Sequence, residues 1–231
     1  MSEQNVNAAN PAVPESNSGR LIAVLGTVAL ISGLLIVMVY QWTLPAITEV
    51  KRKALETAVL QVIPGANSIK AFVVEGKSLV PATDANANSL HLYVGYDDKG
   101  DLKGIAAEGS GQGYADAVKI LYGYAPECEC ITGFTVVSSR ETPGFGDKLG
   151  TDAGFLENFK ALDARLNADK SGLANEIVTV KHGTKTQPWQ VDAISGATVS
   201  SRAVGRALNS SASVVLPALV AHIDELRHRS D

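Results

Sequence analysis

The 231-residue sequence is poor in the side chains that build metal centres and disulfide frameworks, with only two cysteines and four histidines. The histidines, at 91, 182, 222 and 228, are scattered and form no ligand pattern, and no Ser/His/Asp arrangement can be argued from spacing. Cys128 and Cys130 sit two apart in "PECECIT". That spacing lacks the four-ligand pattern of a zinc site and brings the Cβ atoms poorly into bridging geometry. It predicts two thiols on one face of a strand. Basic charge is also scarce: 20 Lys and Arg stand against 24 Asp and Glu, a net charge of −4. With no basic stripe, nucleic acid is not an expected partner. No internal repeat occurs, and no dinucleotide fingerprint. "GSGQGYAD", at 109–116, spaces its glycines as Gly-x-Gly-x-Gly before a short apolar run, with no suitably placed acidic partner, so it reads as a flexible turn.

Another absence is informative. "LIAVLGTVALISGLLIVMVYQW", residues 21–42, contains no charge and no proline. As a helix it would be roughly 33 Å long, enough to cross a hydrocarbon core. Arg20 marks its start, and Tyr40 and Trp42 mark the interface at its end. No small-x-small cleavage site follows, and no cysteine lies nearby to receive a lipid, so the segment reads as an uncleaved single-span anchor. Lys51, Arg52 and Lys53 follow it closely, against Arg20 alone before it. Read literally, the positive-inside rule places the C-terminal part in the cytoplasm, although the rule is weak for long translocated domains.

Residues 1–20, rich in Asn, Ser, Pro and Ala, read as a disordered tail. Residues 43–66 space Val50, Ala54, Ala58 and Val62 at helical intervals before Pro64-Gly65. This is a stalk helix or the first helix of the domain that fills 67–231. In that domain, "IKAFVVEG" and "LHLYVGYDDKGDLKGIAAEG" read as strands, the second broken by a turn at 98–100. "ADAVKILYGY" fits a helix or a strand equally. "CITGFTVVSSRE", "NEIVTVK" and "WQVDAIS" read as strands. "GFLENFKALDARL" predicts a helix packing Phe155, Phe159, Leu162 and Leu166. A last helix starts with Ser200 or Ser201 as N-cap and is broken or restarted by Pro217. The irregular alternation predicts an α+β domain rather than a doubly wound sheet.

Chemistry concentrates in "DAISGATVSSR", 192–202. Hydroxyls at 195, 198, 200 and 201 surround Gly196-Ala197 where a strand gives way to a helix. Small residues allow close approach to the backbone, and a helix start offers unpaired N–H groups to an anion. Arg202 follows one turn into the helix as a candidate phosphate partner. A phosphate held at, or bonded to, this turn is one reading. The other is a tight turn entering a helix, with Thr198 and Ser201 as caps. A second block, "ETPGFGDK" at 141–148, has Pro143-Gly144 suited to a type II turn, Gly146 open to a flat ring, and Thr142 able to hydrogen-bond to it. Tyr114, Phe145 and Trp189 are candidates to stack on such a ring.

"DAISGATVSS" resembles the Asp-x-x-Ser/Thr-Gly-Ala-Thr signature of FMN-binding domains whose flavin is bonded to threonine. "ETPGFGDK" resembles the corresponding segment of RnfG, the G-type member of the Rnf electron-transport complex. NqrC, its counterpart in the sodium-pumping NADH:quinone reductase, looks similar there but usually has Gly-Gly instead of Gly-Asp-Lys, so Asp147-Lys148 favour the Rnf family. The resemblance covers roughly residues 20–215. It implies a mixed α/β domain carrying FMN as a phosphoester on Thr198, attached from FAD by a flavin transferase. Asp192, Ser195, Gly196, Ala197 and Ser201 would serve that turn, with Glu141, Thr142, Pro143, Gly144, Gly146 and Tyr114 beside the flavin. It further implies an electron-carrier subunit between ferredoxin and NAD among integral and peripheral partner subunits, in the bacterial inner membrane with its flavin domain in the periplasm. The competing reading of another class is a membrane-tethered binding module without redox work, in which Thr198 is a helix cap.

Overall fold

The structure is a computed structural model that describes residues 18–76, 78–83, 90–141 and 146–227. The tail before Ser18 lies outside these residues, as do Thr142, Pro143, Gly144 and Phe145. Helix α1 runs Ser18–Val62, and the chain divides into two compact units between Lys51 and Arg52. In the first unit the apolar side chains from Leu21 to Tyr40 are exposed, on a helix long and apolar enough to cross a membrane. In the second unit, the last turns of α1 bury Val59 and Val62 in the domain core.

A seven-stranded antiparallel sheet organises the second unit: β1 (Ser68–Glu75), β2 (Ser78–Pro81), β3 (His91–Tyr96), β4 (Leu102–Gln112), β5 (Ala117–Ala125), β6 (Cys130–Ser138) and β7 (Leu162–Asp163), in the order β2-β1-β3-β4-β5-β6-β7. "ADAVKILYGY", which fits either helix or strand by periodicity, is β5. The short β2 is not foreshadowed in sequence, because "SLVP" has no alternation to reveal it. A separate parallel pair joins β8 (Val178–Val180) to β9 (Gln190–Asp192). Of the remaining helices, α2 is Ala153–Glu157 and α3 covers Thr198–Arg227.

Period-two alternation divides the sheet between two helices. Leu92, Val94, Ile105, Ala107, Ile120 and Tyr122 belong to the core under α3. Their neighbours Tyr93, Ala106 and Leu121 pack instead with Val59, Val62 and Ile63. Along α3, Ala203, Ala207, Leu208, Ala212, Val215, Leu216 and Leu219 form the buried stripe. Each fully buried leucine contributes roughly 1.5–3 kcal/mol. Gly109 and Gly111, two apart on β4, face Ala207 and Ala203, four apart on α3. A Cβ on Gly111 would lie 2.1 Å from the Ala203 carbonyl oxygen. The segment 109–116, expected to be a flexible turn, is therefore strand over 109–112 and a turn only from 113 to 116, and its first two glycines let the helix sit against the sheet.

Three other expectations fail for identifiable reasons. The helix predicted over 154–166 is confined to α2. Asn158 ends it by turning its side chain inward: Nδ2 donates to the Phe155 and Asp192 carbonyls, and Oδ1 accepts from Asp192 N. Leu162 then pairs with Ile131 on β6, although Phe155, Phe159 and Leu162 are all buried as the spacing required. Pro217 does not break the last helix; α3 runs through it, at the cost of one N–H to the Ser213 carbonyl. Cys128 and Cys130 form a disulfide rather than two thiols. Glu129 between them takes a left-handed conformation, φ 49°, which turns the chain and brings the two Cα atoms to 5.1 Å.

Candidate functional site

The turn before α3 is built by hydrogen bonds that leave one hydroxyl over. Gly196 adopts φ +83°, a conformation that favours glycine, and a Cβ there would meet nothing within 4 Å. Ala197 donates to the Ile194 carbonyl, and its own carbonyl accepts from Ser201 N, so Ala197 holds the cap position. The helix thus begins at Thr198, and neither Ser200 nor Ser201 is the N-cap. Ser201 is fully buried; its Oγ accepts from Ile194 N and donates to the Ala197 carbonyl, stapling the two sides of the turn. Ser200 donates its hydroxyl to Glu141 Oε2. The half-buried Thr198 makes no side-chain hydrogen bond among the described residues, and the N–H groups of Thr198, Val199 and Ser200 have no backbone acceptor there.

These groups open into a cleft of about 510 Å³ lined by Tyr114, Glu141, Gly146, Gly196, Ala197, Thr198, Val199 and Ser200. Its volume lies within the range of small-molecule sites. Glu141 joins the walls. Its Oε1 accepts from Tyr114 N at 2.9 Å and Ala115 N at 3.0 Å, while Oε2 accepts from the Ser200 hydroxyl. Gly146 packs so closely that a Cβ would lie 2.1 Å from Glu141 Cβ. Burial alone would raise the Glu141 carboxyl. The Ser200 hydroxyl and the N–H groups of Ala115, Asp116 and Tyr114 outweigh it and hold the pKa below the ordinary 4.5.

A carboxyl depressed on folding adds stability that is present above the unfolded value and lost as pH falls through the folded one. Thermal melts of the wild type should therefore fall below about pH 4.5, and Glu141→Gln should flatten that part of the profile. An unchanged acid limb in the variant would show that Glu141 carries none of it.

The structure brings Tyr114, Glu141, Gly146, Gly196, Ala197 and Thr198 together around the cleft. Asp192, Ser195 and Ser201 are not among its lining residues, and Thr142, Pro143 and Gly144 lie outside the described residues. Asp192 faces the neighbouring loop: Oδ1 accepts from Gly183 N at 2.8 Å, and Oδ2 lies 3.3 Å from His182 Nδ1. Val199 also lines the cleft, which the sequence did not indicate. So does Ser200, which the sequence marked only as a hydroxyl near the turn and an N-cap candidate, with no partner visible nearby in the chain. Trp189 does not line the cleft.

A twisted antiparallel sheet with a cleft at a helix N-terminus, fronted by an exposed aromatic, suits a flat ligand bearing a phosphate. The family model of the FMN-binding domain matches residues 113–213, which include every cleft residue. The fold is shared with Shewanella oneidensis NqrC, at a TM-score of 0.59 and 21% identity, over 76% of this chain and 97% of that one. Over residues 113–213 the chain is thus similar to FMN-binding domains. The chain is 31% identical over 204 residues to the G subunit of the ion-translocating oxidoreductase complex of Methanosarcina acetivorans, covering 87% of this chain and 97% of the relative. It is 32% identical over 126 residues to the G subunit of the Na(+)-translocating ferredoxin:NAD(+) oxidoreductase complex of Acetobacterium woodii, covering 54% and 55% of the two chains. The protein belongs to the family of G subunits of ion-translocating oxidoreductase complexes, as its two motif blocks implied.

The residues present fit FMN on their own terms. Three N–H groups without backbone acceptors at a helix start suit a phosphate, and the exposed Tyr114 offers a face beside the cleft.

Proposed function

We propose that this protein is the electron-carrier subunit of a membrane-bound, ion-translocating ferredoxin/NAD oxidoreductase complex, with FMN joined through its phosphate to Thr198 Oγ. Bound FMN supplies redox chemistry that the side chains of this site do not offer. The observation that carries the reading is the unengaged Thr198 hydroxyl at the mouth of a helix N-terminus, with small residues on its approach. In this account Thr198 prevents loss of the cofactor. The N–H groups of Thr198, Val199 and Ser200 receive the negative charge of the diester, and Tyr114 covers one side of the cleft. A flavin transferase supplies the group, and other subunits of the complex supply and remove electrons. The reading is tested by flavin fluorescence in a denaturing gel: the wild-type band should fluoresce and Thr198→Ala should not. A dark wild-type band would favour the tethered binding module, with the turn serving only as a helix entry.

The same reading assigns the domain to the outer side of the membrane, the periplasm of a bacterial cell, with α1 as a single-pass inner-membrane anchor. The Cys128–Cys130 disulfide supports this, because disulfides persist in oxidising compartments. Lys51, Arg52 and Lys53 point the other way, but a domain of this length translocates despite such charges. Acid-quenched cells treated with an alkylating reagent should yield protein with both cysteines blocked from labelling until reduction. Free, alkylated thiols would place the domain in the cytoplasm. Reduction should cost only about 1–2 kcal/mol of stability, since the closed loop is so short.

A further inference from the structure

The turn that carries Thr198 offers a transferase several aliphatic hydroxyls, and their engagement differs. Ser201 Oγ is buried and bonded on both sides, to Ile194 N at 3.1 Å and the Ala197 carbonyl at 2.9 Å. Ser195 is exposed but does not line the cleft. Ser200 does line it, two residues from Thr198, and its hydroxyl is given to Glu141 Oε2. The other oxygen of Glu141 is fixed by Tyr114 N and Ala115 N, and Gly146 packs against the Glu141 stem. The carboxylate is thus held by a different part of the chain and cannot follow Ser200 if the helix start shifts.

We propose that Glu141 and Ser200 form a latch that selects Thr198 as the flavin acceptor. The inference rests on the covalent-flavin reading above. The latch acts in two ways. It occupies the one competing aliphatic hydroxyl among the described cleft residues, and it pins the first turn of α3 so that Thr198 faces the cleft. In the transfer itself, Thr198 Oγ forms a bond to the flavin-side phosphorus of FAD and the pyrophosphate P–O bond breaks. AMP leaves with the bridging oxygen, and the threonine proton passes to solvent. Glu141 and Ser200 are positioning residues and exchange no atoms. Ser200→Ala keeps the carboxylate but frees the turn. Glu141→Ala frees both the turn and the Ser200 hydroxyl.

Purified full-length protein in detergent is incubated with FAD and a flavin transferase, and the modified peptide is sequenced by mass spectrometry. Wild type should be modified at Thr198 alone. Ser200→Ala should lose turnover at little change in KM, by up to roughly 10²-fold, because a small misplacement of a reacting group is that costly. Ser200→Thr, which keeps a hydroxyl, should recover most of that rate. Glu141→Ala should divide the label between Thr198 and Ser200, a change of site that mere loosening of the fold would not produce. Thermal melts of each variant identify any that fail to fold, and Ser200→Ala and Ser200→Thr remain informative if Glu141→Ala does. Wild-type rates for Ser200→Ala with label confined to Thr198 in every folded variant would overturn the latch and leave the flavin reading standing. An unmodified wild type would overturn both.

Discussion

Thr198→Ala should abolish the proposed ferredoxin/NAD electron transfer by the assembled complex, down to the level of membranes lacking this subunit. The variant should nonetheless fold and insert normally. Thr198 is half-buried and its hydroxyl bonds to nothing among the described residues, so its removal strands no buried polar partner. The turn itself is held by Ser201 and by the Ala197 cap, neither of which the substitution touches. A large functional loss without a stability loss is the signature of an attachment point. Thr198→Ser keeps an acceptor oxygen and should keep substantial activity. If Thr198→Ala supports wild-type electron flow, the attached flavin is not on the path.

Gly111→Ala should have the largest effect on stability. Its new Cβ would lie 2.1 Å from the Ala203 carbonyl oxygen, 3.0 Å from that carbonyl carbon and 3.2 Å from Ala207 N. All three are backbone atoms within a helix, so no rotamer change relieves the clash. Either α3 lifts from β4 or the strand bends. Overpacking of this kind costs about 3 kcal/mol or more, which for a domain of this size lowers Tm by roughly 10 °C. Gly150→Ala is the control: its Cβ would meet nothing within 4 Å, and its Tm should stay close to wild type. Equal melting temperatures for the two variants would contradict the close packing of α3 on the sheet. Since α3 begins at Thr198, Gly111→Ala should also disturb the cleft.

What sequence could and could not show follows from the range of the interactions involved. The apolar run 21–42 carries its own signal in composition. Strands β3 and β4 are buried on both faces over 92–96 and 104–107, because each face meets a different helix, so their apolar runs read as strands without polar alternation. Thr198 and Glu141 were legible through their motif blocks, yet nothing in the linear chain required them to meet. Glu141 reaches Ser200 across 59 positions, and only the folded sheet brings the two together. The helix expected over 154–166 had a correct apolar spacing. Asn158 overrode it through bonds to Asp192, 34 positions away. The glycines at 109 and 111 looked like flexibility when read alone, and like close packing once α3 lay across them. At Cys128 and Cys130 the general rule for a two-residue spacing failed because Glu129 takes a left-handed conformation.

The covalent attachment is tested most directly by peptide mass spectrometry of the membrane-purified wild type, co-expressed with a flavin transferase, beside Thr198→Ala. The peptide spanning Thr198 should gain the mass of one FMN less a water, fragment ions should place it on Thr198, and the variant peptide should remain unmodified. A wild-type peptide of unmodified mass, in protein that is colourless after denaturation, would contradict the account.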